Sequence, residues 1–286
     1  MKTWIGASLT VALAGLAFSK TPLPPRPLQP TVLIIGGSAA YGWYDRSGLG
    51  FVERGLKAWN RWPRGVAFKN QAVPGATVRN PTIRGNYHDW LHDYRPTIVA
   101  LQWGMLNDLR VGTPWSLIMA VIRKEIMEAI AIRAVVMIIT PPATEATYDV
   151  DRGTEVAVVA EELKMARSLN NPNVYAFNVL GAMKTYLAQH HLTYAPFMKG
   201  PWDPNTRGHR LAGRLLAAEL KKKLPRGQVQ FQTEGAFTPG IGYFTGTRWP
   251  LGQPLLRRHA VGKAKPAKNN FKASPVTKGK NPSAHT

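Results

Sequence analysis

Five short apolar runs, each followed by a helical pattern, constrain the fold of this chain more than any other feature. They read TVLIIG (31–36), VAFKNQAV (66–73), TIVALQW (97–103), AVVMIIT (134–140) and NVYAFNV (173–179). Runs with little polar alternation are typical of strands that helices cover on both faces, as in parallel sheets. Strands that alternate with helices predict right-handed βαβ crossovers. We therefore predict a three-layer α/β/α sandwich around a five-stranded parallel sheet.

The N-terminal residues have the order of features that an export signal requires. Lys2 precedes an apolar run over 4–18, which is short for a membrane span and suits the core of a signal peptide. We interpret residues 1–19 as a signal peptide or membrane anchor and 20–30 as a Pro-rich linker. The alternative is a buried N-terminal helix. Export predicts a location outside the cell or at the cell envelope.

The charge of the chain is strongly positive and is concentrated at the C-terminal end. The formal net charge is +21, and nine lysines and arginines follow the last acidic residue, Glu234. Residues 226–286 are also rich in Gly, Pro, Asn and Ser, so we predict a basic, largely disordered tail there. Its candidate partners are an anionic wall polymer and a membrane surface. The predicted export argues against a specific nucleic-acid partner.

Composition also excludes several kinds of chemistry. The chain has no cysteine, which excludes disulfides, thiolate metal sites and a cysteine nucleophile. Its seven histidines show no HExxH or similar ligand spacing. We therefore predict no metal and no cofactor, and we expect one folded domain, residues 31–225, in a monomer.

Small and polar residues follow the first three predicted strands. Ligands of such sheets bind at the carboxyl ends of the strands, so these loops are the first place to look for a site. Ser38 follows the first strand, Gly75 the second, and Asn107 the third, with Asp108 placed to brace its loop. Read singly, the three loops are also consistent with a capping serine, a Pro-Gly turn and an Asx turn.

Taken in order, the three loops resemble the first three conserved blocks of the SGNH (GDSL-like) hydrolases. The resemblance spans about 31–224 and implies a flavodoxin-like fold and an ester-cleaving mechanism. It implies that Ser38 is the nucleophile and that Gly75 and Asn107 supply donors for the oxyanion. PNTRGHRLAG (204–213) is similar to the fourth block, in which the family has Asp-x-x-His-Pro-Asn and then Gly-His. The third block and the helix after it resemble a bacterial exported or anchored subgroup.

The chain departs from the family pattern at the residues that would activate the serine. Gly37 replaces the aspartate of Gly-Asp-Ser, and Gly104 lies one residue too early in the third block. Asp203 occupies the position of the family's histidine, and Gly200 that of its aspartate. Both expected partners of Ser38 are therefore replaced.

Two residues near the fourth block remain as candidates for the missing base. A carboxylate such as Asp203 is a weak base unless burial raises its pKa, and we also interpret Asp203 as the N-cap of the last helix. His209 lies six residues later, about 7–9 Å farther along the helix axis, which favours a structural role.

Two functions are consistent with this pattern. The first is a serine esterase of the cell envelope that hydrolyses a small carboxylic ester or the O-acetyl groups of a glycan. The second is a catalytically impaired protein of the same fold that binds an envelope glycan or an anionic polymer.

Overall fold

The computed structural model describes residues 29–59, 65–149 and 153–224, and it contains all five predicted strands. These are β1 (Thr31–Gly36), β2 (Ala67–Asn70), β3 (Ile98–Gln102), β4 (Val135–Ile139) and β5 (Val174–Phe177). All neighbours pair in parallel, in the order β2-β1-β3-β4-β5. The predicted five-stranded parallel sheet of an α/β fold is confirmed.

Helices connect the strands, and the longer ones match the predicted apolar patterns. The helices are α1 (Ser38–Tyr41), α2 (Gly50–Trp59), α3 (Pro81–Tyr94), α4 (Leu106–Arg110), α5 (Trp115–Ala131), α6 (Glu145–Tyr148), α7 (Thr154–Ser168), α8 (Val179–Gln189) and α9 (Thr206–Lys223). A 3₁₀ turn covers Ala195–Phe197. The short helices α4 and α6 were not predicted, because five or fewer residues are too few to show a 3.6-residue period.

The sheet has an apolar core on each face. Successive side chains of a strand point to opposite faces, so β1 contributes to both cores. Val32 and Ile34 belong to a core that α1, α2, α8 and α9 cover. Leu33 and Ile35 belong to the other core, beneath α3, α5 and α7. The unbroken apolar sequence of β1 is therefore explained by burial on both sides.

Helices α2 and α9 approach closely because each presents a glycine to the other. A Cβ atom on Gly213 would lie 2.9 Å from Arg54 Cβ and 3.2 Å from the Phe51 carbonyl oxygen. A Cβ atom on Gly55 would lie 2.7 Å from Leu216 Cδ2. Since α2 follows the loop of Ser38 and α9 follows Asp203, this contact sets the spacing between two candidate site segments.

The terminal predictions concern residues outside the described ranges. The signal peptide or anchor (1–19), most of the linker (20–30) and the basic tail (226–286) therefore stay predictions. Within the described ranges, every helix is too short or too polar to cross a membrane.

The glycine contact between α2 and α9 leads to a stability prediction. Gly213→Ala forces backbone atoms of α2 away, so we expect it to lower the free energy of unfolding by about 1–3 kcal/mol. Gly85→Ala, in the exposed part of α3 with open space around it, is the matched control. It should raise stability by about 0.5–1 kcal/mol, because alanine favours helix. Urea unfolding measures both changes, and equal effects of the two substitutions would contradict the packing argument.

Candidate active site

Ser38 lies on a sharp turn between β1 and α1. Gly36 has a φ of 154°, and a Cβ atom there would lie 2.0 Å from the carbonyl oxygen of Gln102 in β3. Only glycine fits this approach, and the chain turns into α1 directly after it. The Ser38 carbonyl accepts hydrogen bonds from Gly42 N at 3.1 Å and Trp43 N at 3.0 Å, which close the turn. The half-buried Ser38 side chain is thereby placed at the carboxyl edge of the sheet.

The loops after β2 and β3 meet beside this turn, as the sequence predicts. Asn107 Nδ2 donates to the Ala76 carbonyl at 3.1 Å. The same nitrogen lies 3.8 Å from the position that a Cβ atom of Gly37 would take. Gly75 is exposed in the same loop as Ala76 and has a φ of 75°, which glycine adopts without strain. The structure thus brings the segments of Ser38, Gly75 and Asn107 together.

Three N–H groups at this junction are available to a ligand. The backbone N–H groups of Ser38 and Gly75 make no hydrogen bond to any residue of the described ranges. The Asn107 amide has two N–H groups and uses one for Ala76. Donors fixed in this way are suited to stabilise the negative oxygen of a tetrahedral intermediate.

Asp108 is a buried residue that stabilises the same junction. Its side chain is 1 % exposed, and its Oδ2 accepts from Val78 N at 3.0 Å. Burial raises the pKa of Asp108, against the opposing hydrogen bond from Val78 N. Nearby, the non-glycine residue Met105 has a φ of 59°, a conformation that is rare and strained for a bulky side chain. Through its bond with Val78, the Asp108 carboxyl group connects the loop after β2 to the loop after β3 and thereby fixes Asn107.

Asp203 does not cap the last helix, so that interpretation is wrong. Pro204 pairs with Met198 in an antiparallel bridge, which keeps the chain extended there, and α9 begins at Thr206. The N-cap is Asn205, whose Oδ1 accepts from the N–H groups of the second and third helical residues at 2.9 and 3.0 Å. Because Asn205 satisfies these N–H groups, the carboxyl group of Asp203 is left for another contact.

That contact is with Ser38. The Ser38 hydroxyl is near enough to the Asp203 carboxyl group to lower its pKa, and Oδ1 of Asp203 is buried without a hydrogen-bond partner in the described ranges. Burial raises the pKa of Asp203, and the nearby Ser38 hydroxyl lowers it by less. Asp203 is therefore a better proton acceptor than a solvated carboxylate, because burial disfavours its charged form.

The segment that carries Asp203 is held at several points. The Asp203 carbonyl accepts from Lys199 N at 2.9 Å, and the Pro201 carbonyl accepts from Ala146 N at 3.0 Å. Gly200 has a φ of 77°, so a side chain at this position would strain the backbone. This conformation accounts for glycine in the position where the family has aspartate.

His209 lies beside a different part of the Ser38 loop. It is fully buried, and its Nε2 donates to the Trp43 carbonyl at 2.9 Å. Burial lowers the pKa of His209, although the Trp43 carbonyl and Asp45 oppose that effect. Asp45 in turn accepts from Arg54 at 2.7 and 3.0 Å. In the described part of the chain, no hydrogen bond joins Ser38 to a histidine.

The remaining described histidines are engaged elsewhere or exposed. His88 Nδ1 lies 3.9 Å from Glu128, and His92 Nδ1 lies 3.6 Å from Asp93. His190 Nδ1 donates to the Tyr186 carbonyl at 2.8 Å, and the His190 ring stacks on the ring of that tyrosine. Over the described ranges, no group of three or more His, Asp or Glu residues is arranged to hold a metal ion.

Two solved structures with a similar architecture are an acetylxylan esterase and a lipolytic protein of the G-D-S-L family. An acetylxylan esterase from Geobacillus stearothermophilus superposes with a TM-score of 0.55 at 18% identity, over 67% of this chain and 94% of its own. A lipolytic protein of the G-D-S-L family from Veillonella parvula superposes with a TM-score of 0.53 at 21% identity, over 68% of this chain and 99% of its own. The chain therefore has the SGNH hydrolase fold. No family model matches the chain, and no curated protein matches its sequence.

The raised pKa of Asp203 leads to a prediction on stability. A raised folded-state pKa means that the folded protein holds this proton more tightly than the unfolded chain. The ionised carboxylate therefore destabilises the fold, and this effect appears as pH rises through the folded-state pKa. Asp203→Asn should thus be more stable than wild type near pH 7, by a margin that shrinks as pH falls toward about 4. Unfolding by urea at several pH values measures this margin.

Asp45→Asn is the control of opposite sign. Burial alone would raise the pKa of Asp45, but hydrogen bonds from Arg54 and the Ser47 N–H outweigh burial and lower it. Its carboxylate therefore stabilises the fold above the unfolded-state pKa, and Asp45→Asn should be less stable than wild type near pH 7. A margin for Asp203→Asn that is negative or independent of pH would contradict the described environment of Asp203.

Proposed function

We propose that this chain is a serine esterase of the SGNH type in which a carboxylate, Asp203, serves Ser38 as the general base. The observation that supports the proposal most is the proximity of these two side chains next to Asn107. Ser38, Asp203 and the three N–H donors form a nucleophile, a base and an oxyanion site. The SGNH hydrolase fold of the chain is consistent with this chemistry.

Acylation begins when Ser38 Oγ attacks the carbonyl carbon of the ester. As the C–O bond forms, Asp203 takes the hydroxyl proton, and the carbonyl oxygen becomes an oxyanion. The N–H groups of Ser38 and Gly75 and the Asn107 amide bind this oxyanion. The intermediate then collapses, its bond to the alcohol oxygen breaks, and the proton on Asp203 passes to the departing alcohol.

Deacylation repeats these steps with water. A water molecule loses a proton to Asp203 as its oxygen attacks the acyl carbon on Ser38. The same donors bind the second oxyanion, and collapse releases the carboxylic acid and returns the proton to Ser38. The sum of the two half-reactions is ester plus water to alcohol plus acid.

The basicity of Asp203 limits the rate of this mechanism. An imidazole is a better base near neutral pH because its usual pKa lies close to 7. Burial raises the pKa of Asp203, and no hydrogen bond from a second carboxyl group in the described ranges orients it. We therefore expect turnover that depends on Ser38 but is slower than with an intact Asp-x-x-His block.

His209 has a positioning role in this proposal. Its Nε2 proton is committed to the Trp43 carbonyl, and Trp43 N donates to the Ser38 carbonyl. The imidazole thus joins the start of α9 to the loop that closes the nucleophile turn. Its action on Ser38 is indirect.

The proposed substrates are O-acetyl groups or other small esters of glycans at the cell envelope. The similar protein from Geobacillus stearothermophilus is an acetylxylan esterase, which motivates an acetylated glycan. The location follows from the apolar segment 4–18 and its basic start, features of the sequence alone.

Binding of a glycan without turnover is the second candidate function. The absence of a histidine partner for Ser38 in the described ranges favours it. The two functions differ in one respect that kinetics measures: only the esterase requires the Ser38 hydroxyl and the Asp203 carboxylate.

Replacing Asp203, the proposed base, tests the mechanism directly. Asp203→Asn keeps the size of the side chain but removes the proton acceptor, so kcat for p-nitrophenyl acetate should fall by about 10²–10⁴-fold. Ser38→Ala should reduce the rate to the level without enzyme. Initial rates per mole of folded protein measure both changes.

His209→Gln is the matched control for the identity of the base. Glutamine can donate to the Trp43 carbonyl but cannot accept a proton from serine, so this variant should keep most of the activity per folded molecule. Loss of activity in His209→Gln together with retained activity in Asp203→Asn would assign the base to His209. Activity that persists in Ser38→Ala would exclude the serine esterase.

A further inference from the structure

A cationic groove of about 550 Å³ lies against the loop that follows Ser38. A second depression of about 300 Å³ continues it, and the two share Arg207 and Arg210. We call the combined surface the arginine groove; the residues that define it are Tyr44, Arg46, Lys199, Arg207, Arg210 and Arg214.

The walls of the arginine groove belong to the segments that hold the proposed nucleophile and base. Arg46 N donates to Thr206 Oγ1 at 3.0 Å, which joins the loop after α1 to the start of α9. Lys199 N donates to the carbonyl of Asp203 at 2.9 Å. A ligand in the groove therefore lies next to the site and can extend from it.

The described residues do not neutralise the positive charges of the groove. Among the described residues, no carboxylate lies within ion-pair distance of any of its arginines or of Lys199. Arg54, by contrast, pairs with Asp45 at 2.7 Å one helix away. The Arg207 guanidinium lies over the Phe197 ring at 4.9 Å from its centre, which holds it without cancelling its charge.

The positions of these arginines lower the stability of helix α9 when no ligand is bound. Arg207, Arg210 and Arg214 follow one another at spacings of three and four residues, so they share an exposed face. Like charges at these spacings repel, and cations at the N-terminal end of a helix oppose the helix dipole. A bound anion would remove both penalties. The arrangement is therefore explained by a ligand with several negative charges.

Exposed aromatic side chains continue the surface on the side of Ser38. Tyr41, Trp43 and Tyr44 are 45%, 42% and 49% exposed, and their rings are neighbours at 6.2 and 5.6 Å. Three adjacent exposed aromatic rings are characteristic of a binding surface. Aromatic faces pack against the C–H faces of sugar rings, and their polar edges tolerate water.

We infer that the arginine groove binds the carboxylates of an acidic polysaccharide whose O-acyl groups Ser38 removes. Guanidinium groups bind carboxylates with two parallel hydrogen bonds, which fixes the chain in one direction along the groove. The aromatic side chains then hold sugar rings near the nucleophile. The inference rests on the proposed esterase function and specifies its substrate class.

The test compares an acidic with a neutral substrate. Probes are O-acetylated oligogalacturonate and O-acetylated xylo-oligosaccharide, with the full chain in every case. Wild type should have the higher kcat/KM for the acidic probe, and the preference should decline as salt screens the charges. In Lys199→Gln/Arg210→Gln, the ratio of kcat/KM for the acidic to the neutral probe should fall by about tenfold or more.

The matched control removes two arginines from the other side of the sheet. Arg123 in α5 and Arg167 in α7 are exposed, and their helices cover the opposite core. Arg123→Gln/Arg167→Gln changes the net charge by the same amount and keeps the basic tail, so its ratio should equal that of wild type. The inference would be overturned if wild type showed no preference for the acidic probe, or if both double variants had the same ratio of kcat/KM for the acidic to the neutral probe.

A binding measurement separates the groove from the proposed chemistry. Ser38→Ala should bind unacetylated oligogalacturonate, and the added Lys199→Gln/Arg210→Gln should weaken Kd by about tenfold or more. If wild type hydrolysed no ester but the double substitution still weakened oligogalacturonate binding, the esterase proposal would be refuted and the groove would remain an anion-binding site. Equally tight binding of an oligonucleotide of the same charge, with the same weakening, would overturn the assignment to acidic polysaccharide.

Discussion

The close approach of β1 to β3 at Gly36 is the constraint on which the site depends. A side chain at this position would overlap the Gln102 carbonyl, so only glycine fits where the chain leaves the sheet. The turn that follows presents Ser38 at the edge where β2 and β3 also end. Because all five strands are parallel, the loops of Gly75 and Asn107 reach that same edge. Asp108 then fixes the two loops to each other.

The position of Asp203 depends on a second set of contacts around the start of α9. Asn205 caps the helix, and the glycine contact between α2 and α9 places that helix close to the Ser38 loop. His209 adds a buried hydrogen bond to Trp43 from the same turn of helix. Because Asn205 caps the N–H groups of α9, the carboxyl group of Asp203 is available to Ser38. Desolvation makes this carboxyl less stable as an anion and more useful as a base.

The sequence was sufficient to predict the sheet and the first three site segments, and physical reasons explain both. Buried parallel strands need unbroken apolar runs, and functional residues of such folds follow the strands directly. The interpretation of Asp203 as the helix cap was wrong because aspartate and asparagine cap helices about equally well, so Asp203 and Asn205 compete as caps. The Met198–Pro204 bridge decides between them, and pairing outside the main sheet leaves no periodic signal. The arginine groove joins distant segments, although the spacing of Arg207, Arg210 and Arg214 was a local sign of it.

In the proposed mechanism an aspartate, and not a histidine, activates Ser38. The pH dependence of kcat/KM for p-nitrophenyl acetate tests it most directly, because this profile reports the pKa of the base in the free enzyme. Activity should rise through one ionisation above 3.8, the ordinary pKa of aspartate, and this step should be absent in Asp203→Asn. A step below 6.5, the ordinary pKa of histidine, that disappears in His209→Gln and persists in Asp203→Asn would contradict this role of Asp203.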